Sequence, residues 1–247
     1  MKRLLQTTAL ACSLLASGHA YSEVYKALPI PSEARTGTIY ASQSGRATLD
    51  RGEDGGNPFA SALVELLNRS SLSLAELVSQ ITTITQQKSG GYQLPDISGI
   101  RGANNWAIKP TRSDTKNVAL VATFSQYTAE NVSHLPGAER DRVRVTNALR
   151  AAGFKVVTIA NPTKSDLGRL LYDLSKASKD SDVAFIYVTG HGFEDQKKVY
   201  LAPSGYHFKH RDKSGRDSAI YVGSLVNGLK AKHANLVFFG GCRTILR

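Results

Sequence analysis

The chain has 247 residues, of which 31 are Lys or Arg, 20 are Asp or Glu and two are Cys. This length permits one large domain or two small ones, and a hydrophobic share of 41% with 21% charged residues excludes a disordered chain. Two cysteines exclude both a disulfide framework and a four-cysteine zinc site. The formal net charge of +11 leaves nucleic acid and anionic surfaces open as partners.

The first twenty residues predict a secretory signal peptide and therefore an exported protein, periplasmic or secreted. Two basic residues open the segment, an apolar stretch follows, and the small residues Gly18 and Ala20 precede the expected cleavage point. The apolar stretch is shorter than the ~20 residues of a membrane-spanning helix, so no membrane span is expected. The alternative interpretation is a frayed N-terminal helix. Cleavage after Ala20 would remove Cys12 and leave Cys242 as the one cysteine of the mature chain.

Residues 21–110 alternate between loops rich in small and polar residues and segments of helical or strand-like periodicity. Apolar residues at helical spacing indicate two helices, and Ser73 and Glu76 form a capping box at the start of the second. In chain order we predict an arm or loop at 21–35, a strand at 36–41, a loop at 42–58, helices at 59–68 and 73–87, a loop at 92–105 and a short strand at 106–108.

Residues 116–247 alternate more regularly between apolar runs and amphipathic segments. These patterns predict strands at 118–124, 155–160, 183–189 and 236–239, and helices at 139–152, 165–177 and 221–231. Strands that are apolar along their whole length are buried on both faces. The order of strand, helix and strand therefore predicts an α/β fold with a mostly parallel sheet that helices cover on both faces.

Two of the predicted strands end in small residues and a reactive side chain. His191 follows the strand at 183–189, and Cys242 follows the strand at 236–239. Because ligands bind beyond the carboxyl ends of parallel strands, we expect the two side chains to lie close together. A thiolate beside an imidazole is the minimal unit for nucleophilic attack on a carbonyl. The N–H groups of Gly192 and Cys242 are the expected donors of an oxyanion hole.

The surroundings of both residues resemble the caspase-like cysteine peptidases, in particular the bacterial caspase and metacaspase-related proteins. His191 lies about 50 residues before Cys242, as in caspases, and Arg243 follows the cysteine as in their motif, although Gly240 stands where they have Gln. The resemblance extends over Leu135-Pro136-Gly137-Ala138-Glu139-Arg140-Asp141 and Tyr200-Leu201-Ala202-Pro203. It implies a three-layer sandwich around a six-stranded, mostly parallel sheet, and cysteine endopeptidase activity.

The two halves of the family resemblance occur in exchanged order. Residues 116–247 resemble the large-subunit-like half that carries the His-Cys dyad, and residues 21–110 resemble the small-subunit-like half that normally follows the cysteine. Residues 36–50 resemble the family's fifth strand and substrate loop, and Gln93-x-Pro95 with residues 106–108 resembles the approach to the sixth strand. The resemblance therefore implies one circularly permuted caspase-like domain. The alternative is an unrelated N-terminal domain before a truncated caspase-like segment, which would leave these matches to chance.

Two of the three residues expected to bind the P1 side chain of the substrate are acidic. In caspases that cut after Asp, two basic residues hold the P1 carboxylate, and Leu135 and the stretch Thr48-Leu49-Asp50 stand at their positions. Asp141 matches an acid of the metacaspase pocket, although Gly240 replaces a second one. The resemblance thus implies an S1 pocket of Thr48, Asp50 and Asp141 that selects Arg or Lys and rejects Asp. Alternatively, Asp141 only complements its helix N-terminus and Asp50 forms a turn.

Other functions have less support in the sequence. A catalytically silent caspase-like binding module is the main alternative to a peptidase. The basic residues are spread along the chain without a recognition-helix, zinc-knuckle or aromatic-rich basic pattern, so no nucleic-acid partner is predicted. The histidines lack metal-ligand spacing and no calcium loop is evident, so no metal or other cofactor is predicted. The expected partner is a protein or peptide substrate, and a monomer is favoured.

Overall fold

The computed structural model of the chain describes residues 35–52, 55–100, 107–108, 116–130, 132–207 and 213–245. The predicted signal peptide, nearly all of the arm at 21–35 and Trp106 lie outside these residues. In chain order the elements are β1 (Arg35–Tyr40), α1 (Pro58–Leu67), α2 (Leu74–Lys88), β2 (Asp96–Ser98), β3 (Asn117–Thr123), α3 (Pro136–Ala151), β4 (Phe154–Ala160), α4 (Lys164–Ser178), β5 (Val183–Thr189), β6 (Gly192–Asp195), β7 (Lys198–Leu201), α5 (Lys213–Ser218), β8 (Ile220–Tyr221), β9 (Ala234–Phe239) and β10 (Thr244–Ile245).

The central sheet has six strands in the order β2-β1-β9-β5-β3-β4. All neighbours are parallel except β2, which pairs antiparallel with β1 and places Ile97 opposite Ile39. β5 and β9 are parallel neighbours, and their register places Val188 opposite Phe239. Their carboxyl ends therefore lie side by side, and the residues that follow each strand enter the same region.

A second, smaller sheet has the order β10-β6-β7-β8. Its strands are only two to four residues long, which is too short for a periodicity to reveal them in the sequence. β6 and β7 form a hairpin whose turn residues Gln196 and Lys197 both have positive φ, at 48° and 62°, as a tight two-residue turn requires. Because β6 begins at Gly192, this hairpin anchors the chain directly after His191.

Two apolar cores enclose the central sheet, which explains why β3, β5 and β9 are buried along their whole length. Alternate residues of a strand point to opposite faces. Phe185 and Tyr187 of β5 join the core that contains α1, α2 and α3, whereas Ile186 and Val188 join the core that contains α4 and the smaller sheet. The predicted three-layer α/β architecture with a mostly parallel six-stranded sheet is therefore confirmed.

The predicted start signals of α1 and α2 are also confirmed. The Asn57 side chain accepts the Phe59 N–H at 2.8 Å and caps α1. The Ser73 hydroxyl accepts the Glu76 N–H, and the Glu76 carboxylate accepts the Ser73 N–H, which completes the capping box of α2. These caps fix where both helices begin, immediately before their buried apolar residues.

The predicted helix at 221–231 is wrong. Its place is taken by the end of β8 and by two short 3-10 turns, Val222–Ser224 and Val226–Gly228. The apolar spacing of this segment fits a helix, but Gly223 and Gly228 are poor helix formers. Local packing into one core determines the conformation instead of helix propensity.

Two other elements differ in position from their predictions. α3 begins at Pro136, three residues before the predicted start, because proline is favoured in the first turn of a helix. The short strand near the end of the N-terminal half lies at Asp96–Ser98, while Ala107 makes only a single bridge with Ser73. Within the described part of the chain, no helix is both long and apolar enough to cross a lipid bilayer.

Candidate active site

The ends of β5 and β9 bring His191 and Cys242 to one cavity. The cavity has a volume of about 120 Å³, and its lining includes His191, Cys242, Thr48, Asp50 and Asp141. These are the side chains that the sequence analysis assigned to the dyad and to the S1 pocket. They come from four separate parts of the chain, and the parallel pairing of β5 and β9 explains why His191 and Cys242 reach the same cavity.

Two glycines let the loops after β5 and β9 approach each other. A side chain at Gly192 would place its Cβ 2.5 Å from the Cys242 carbonyl oxygen, and one at Gly241 would place it 2.6 Å from the Gly190 carbonyl oxygen. Both distances are shorter than any real Cβ contact, so only glycine fits without movement of the main chain. Gly192 therefore lies against Cys242, and their roles as oxyanion donors stay a prediction.

Cys242 is a free, partly buried cysteine. Its sulfur contacts Thr48 in the segment 42–52 that follows β1, which we call the 42–52 loop. The Thr48 N–H donates a hydrogen bond to Sγ at 3.3 Å, and the Thr48 hydroxyl lies 3.4 Å from the same atom. The hydroxyl is also 3.4 Å from the Gly240 carbonyl oxygen. Thr48 thus lines the cavity as expected, but its polar groups face the sulfur.

His191 is held through both its ring and its main chain. Its Nε2 lies 2.8 Å from the Ser133 carbonyl oxygen, and its main-chain N–H donates to the Tyr127 hydroxyl at 2.7 Å. The rings of His191 and Tyr127 pack with their centroids 4.6 Å apart. A carbonyl oxygen only accepts, so Nε2 carries a proton, and in the neutral ring Nδ1 is the nitrogen without one. Burial raises the pKa of Tyr127 well above its usual value, so this hydroxyl stays protonated and donates to the Ala202 carbonyl.

Asp141 presents a fully buried carboxyl to the cavity from α3. It accepts the Asn57 N–H at 3.1 Å and the Tyr187 hydroxyl at 3.3 Å. Burial raises the pKa of Asp141 to about 8, against the lowering effects of the Asn57 N–H and the Arg144 charge. At neutral pH the folded protein therefore holds this carboxyl largely protonated.

Asp50 brings a second carboxyl group to the cavity from the 42–52 loop. Its Oδ2 accepts the Gly137 N–H at 3.0 Å, in the first turn of α3, where the helix dipole favours negative charge. The side chain is 26% exposed, and its charge contributes to the raised pKa of Asp141. A cation that enters the cavity would meet both groups. Among the described residues, no three His, Cys, Asp or Glu side chains are grouped closely enough to hold a metal ion.

Asn57 and Gln93 support the cavity from behind, a role that the sequence analysis missed. The Asn57 side chain donates to the Gly240 carbonyl at 3.0 Å and accepts from the Gln93 amide at 3.2 Å. The Gln93 side chain also accepts the Leu49 N–H at 3.0 Å. In the sequence, Asn57-Pro58 indicates only the start of a helix, and Gln93-x-Pro95 is only part of the resemblance to the caspase family. Both side chains are buried and hydrogen-bonded, so they fix the 42–52 loop relative to β9.

Arg243, the residue after the cysteine, forms a buried network that the sequence analysis also missed. Its guanidinium donates to Glu194 at 3.0 Å and to Asp96 at 2.6 Å, and it lies 4.5 Å from the centre of the Tyr40 ring. It also donates to the Ser42 carbonyl at 3.3 Å. One side chain thus ties together β1, β2, β6 and the 42–52 loop immediately beside Cys242.

Residues 116–245 match the family model of the Peptidase C14 caspase domain. This segment makes up more than half of the chain and contains both His191 and Cys242. No curated protein gives a significant match to the chain.

Proposed function

Because the chain belongs to the caspase-domain family of cysteine peptidases, we propose that it is an endopeptidase with Cys242 as nucleophile and His191 as acid and base. The observation that carries this proposal is the shared cavity of the two side chains at the ends of neighbouring strands. The family match supports a cysteine peptidase, and the geometry supports these two residues as the reacting groups.

Catalysis starts when the thiol proton of Cys242 moves to Nδ1 of His191 and the sulfur attacks the carbonyl carbon of the substrate. The carbonyl oxygen becomes an oxyanion, which the N–H groups of Gly192 and Cys242 stabilise. The imidazolium protonates the leaving amine, the C–N bond breaks, and water hydrolyses the acyl-enzyme with His191 again as base. The Ser133 carbonyl accepts a hydrogen bond from the Nε2–H group throughout and keeps the ring oriented.

The S1 pocket of Thr48, Asp50 and Asp141 accepts Arg or Lys at P1. An entering guanidinium or ammonium group pairs with Asp50, and its charge lowers the pKa of Asp141 and displaces the proton that burial holds there. Two carboxylates then hold one cation through charge-assisted hydrogen bonds. An Asp side chain would meet a like charge instead, so cleavage after Asp is not expected.

Residues 35–98 supply, in exchanged order, the strands that follow the cysteine in the family. This is supported by β1, which runs parallel to β9 as its neighbour, and by β2, which adds an antiparallel edge strand. A circular permutation predicts that the two parts fold in either order. A chain in which residues 35–108 follow residues 116–245 through a flexible linker tests this. A cooperative melting transition with peptidase activity is expected, and an unfolded product would contradict the permutation.

The predicted signal peptide exports the protein, which acts on proteins or peptides outside the cytoplasm. Expression in a secreting bacterial host, followed by N-terminal sequencing of the exported fraction, tests this proposal. A mature chain that begins at Tyr21 is the expected product. Uncleaved protein that stays in the cytoplasm would contradict it.

Fluorogenic peptides that differ only at P1 test the peptidase activity and the pocket together. We expect kcat/KM for Arg and Lys to exceed that for Asp by about 100-fold or more, because bringing like charges together costs several kcal/mol. Cys242→Ala abolishes all cleavage. Faster cleavage after Asp would overturn the pocket assignment. A folded protein that cleaves none of the peptides would support the alternative, a catalytically silent binding module.

The variant Asp50→Asn distinguishes recognition of the P1 side chain from the cleavage reaction itself. Loss of this carboxylate lowers kcat/KM for the Arg peptide by about 10- to 100-fold, because a charge-assisted hydrogen bond is lost. The slow cleavage of a peptide with Ala at P1 remains as in the wild type. Asp173→Asn removes an exposed carboxylate on α4 and serves as the matched control, with no expected effect. An equal loss for the Arg and Ala peptides would contradict the assignment of Asp50.

A further inference from the structure

We propose that Thr48 is a further catalytic residue, whose hydroxyl donates a hydrogen bond to the Cys242 thiolate. The proposal deepens the peptidase function and rests on Cys242 being the nucleophile. Its basis is geometric: the Thr48 N–H and hydroxyl lie 3.3 and 3.4 Å from Sγ. The two residues are 194 positions apart in the chain, so the fold itself brings two donor groups of one residue onto the reacting sulfur.

The Thr48 hydroxyl has one proton and two neighbouring acceptors. The Gly240 carbonyl oxygen and the Cys242 sulfur each lie 3.4 Å away. While Cys242 is a thiol, its S–H faces the Thr48 carbonyl oxygen at 4.0 Å, and the hydroxyl can donate to Gly240. For the reaction the S–H turns from this carbonyl toward His191, the proton moves to Nδ1, and the sulfur keeps the electron pair and only accepts. The hydroxyl then rotates onto Sγ, while the Thr48 N–H donates to the sulfur in both states.

The 42–52 loop is fixed on both sides of Thr48, so the hydroxyl is already in position when the thiolate forms. The Arg243 N–H donates to the Arg46 carbonyl at 2.9 Å, and the Leu49 N–H donates to the Gln93 side chain at 3.0 Å. Because the loop holds the hydroxyl oxygen at this distance before charge develops, only the O–H bond has to rotate, and the charge is stabilised with little reorganisation. Thr48 therefore contributes directly to the reactive form of the nucleophile.

Other charged or titratable groups face the same region and remain when Thr48 is replaced. They are His191 after β5, Tyr127 after β3, Asp50 on the 42–52 loop, Asp141 on α3 and Arg243, whose guanidinium is bound to Glu194 and Asp96. A change in thiol reactivity that depends only on the hydroxyl at position 48 can therefore be assigned to that hydroxyl.

The pH dependence of Cys242 alkylation by iodoacetamide tests the proposal without requiring peptidase activity. The reaction is followed by mass spectrometry on the tryptic fragment 233–243 of the full chain. Thr48→Val keeps the shape of the side chain and the main-chain N–H but removes the hydroxyl. We expect the midpoint of the rate profile to rise by about one pH unit, with alkylation about tenfold slower below it. Thr48→Ser keeps the hydroxyl and stays within about twofold of wild type.

Thr85→Val is the matched control, because Thr85 is buried in α2 and no described residue accepts or donates a hydrogen bond to its hydroxyl. Its alkylation profile should equal that of the wild type. An unshifted midpoint in Thr48→Val, or a Ser variant that behaves like Val, would overturn the proposal. If Thr48→Val does not fold, Thr48→Ala provides the same comparison. A shifted midpoint without peptide cleavage would refute the peptidase function alone, and cleavage with an unshifted midpoint would refute the role of Thr48 alone.

Discussion

Replacing Asp141 by Asn changes how the stability of the protein depends on pH. The carboxyl is fully buried, and burial raises its pKa from 3.8 to about 8. The folded state therefore keeps a proton that the unfolded chain releases above pH 4. A raised folded pKa means that the stability present below the unfolded pKa is lost progressively as pH rises toward the folded value. Asn has nearly the same shape, still offers an oxygen to the Asn57 N–H and does not titrate.

The size of the effect follows from the two pKa values. In the unfolded chain, pH 7 lies about three units above the pKa of this carboxyl, whereas in the folded protein the carboxyl is still protonated at that pH. Each unit corresponds to about 1.36 kcal/mol. Ionisation of this group in the unfolded state thus destabilises the wild-type fold by about 4 kcal/mol at pH 7, and by little at pH 4. The Asn variant does not lose stability in this way. The unfolding free energy of the variant minus that of the wild type should therefore rise by about 4 kcal/mol from pH 4 to pH 7.

Urea unfolding of both proteins at several pH values from 4 to 7 measures this difference. All other titrating groups are shared by the two proteins and cancel, as does a constant offset from changed hydrogen bonds. Glu76→Gln is a control of opposite sign, because hydrogen bonds from Ser73 lower the pKa of Glu76. A difference between Asn variant and wild type that changes by less than about 1 kcal/mol from pH 4 to pH 7 would refute the buried, protonated carboxyl.

Three further substitutions test the groups around the dyad. Tyr127→Phe removes the acceptor of the His191 main-chain N–H but keeps the ring that packs against the imidazole at a tilt. We expect about tenfold lower kcat/KM, and an unchanged value would contradict the positioning role of Tyr127. Arg243→Met leaves a buried carboxylate without its cation, so the unfolding free energy in urea should fall by about 3–5 kcal/mol, and a loss below about 1 kcal/mol would count against the network. Gly241→Ala forces the ends of β5 and β9 apart and should reduce kcat/KM by about 100-fold or more. Gly205→Ala is the control, because the space around its Cβ is open, and it should keep wild-type activity. Equal activities of the two variants would contradict the close approach of the loops after β5 and β9.

The parallel strands of the central sheet and the placement of His191 and Cys242 at one sheet edge could be predicted because both follow from local patterns, whereas β2 lies in a segment predicted to be a loop. The apolar runs of β5 and β9 are long enough to indicate buried strands, and both are buried at every position. Parallel neighbours deliver their carboxyl ends to the same place, which needs no knowledge of the rest of the chain. The resemblance of residues 36–50 to a substrate loop likewise brought Thr48 and Asp50 into the predicted site.

The smaller sheet, the side-chain networks around the site and the conformation of residues 221–231 depend on contacts that no local pattern encodes. The strands β6, β7, β8 and β10 exist through their pairing with one another and are too short to be seen alone. Arg243 finds its carboxylate partners 49 and 147 positions away, and Asn57 reaches Gly240 across 183 positions. The sequence shows that these residues are polar or charged, but it does not show which residues they contact in the fold. In the same way, the spacing at 221–231 fits a helix, and only the tertiary packing selects turns.

Covalent labelling of Cys242 by a peptide chloromethyl ketone tests the dyad and its pocket most directly. The sulfur displaces chloride and forms a thioether faster than free cysteine does only when the thiolate, the imidazole and the P1 pocket act together. We predict stoichiometric labelling of the tryptic fragment that contains Cys242 when P1 is Arg, and labelling no faster than that of free cysteine when P1 is Asp. His191→Ala should reduce the Arg reaction to the same slow rate. Equal labelling with Arg and Asp, or rapid labelling that persists in His191→Ala, would contradict a basic-specific Cys242–His191 peptidase.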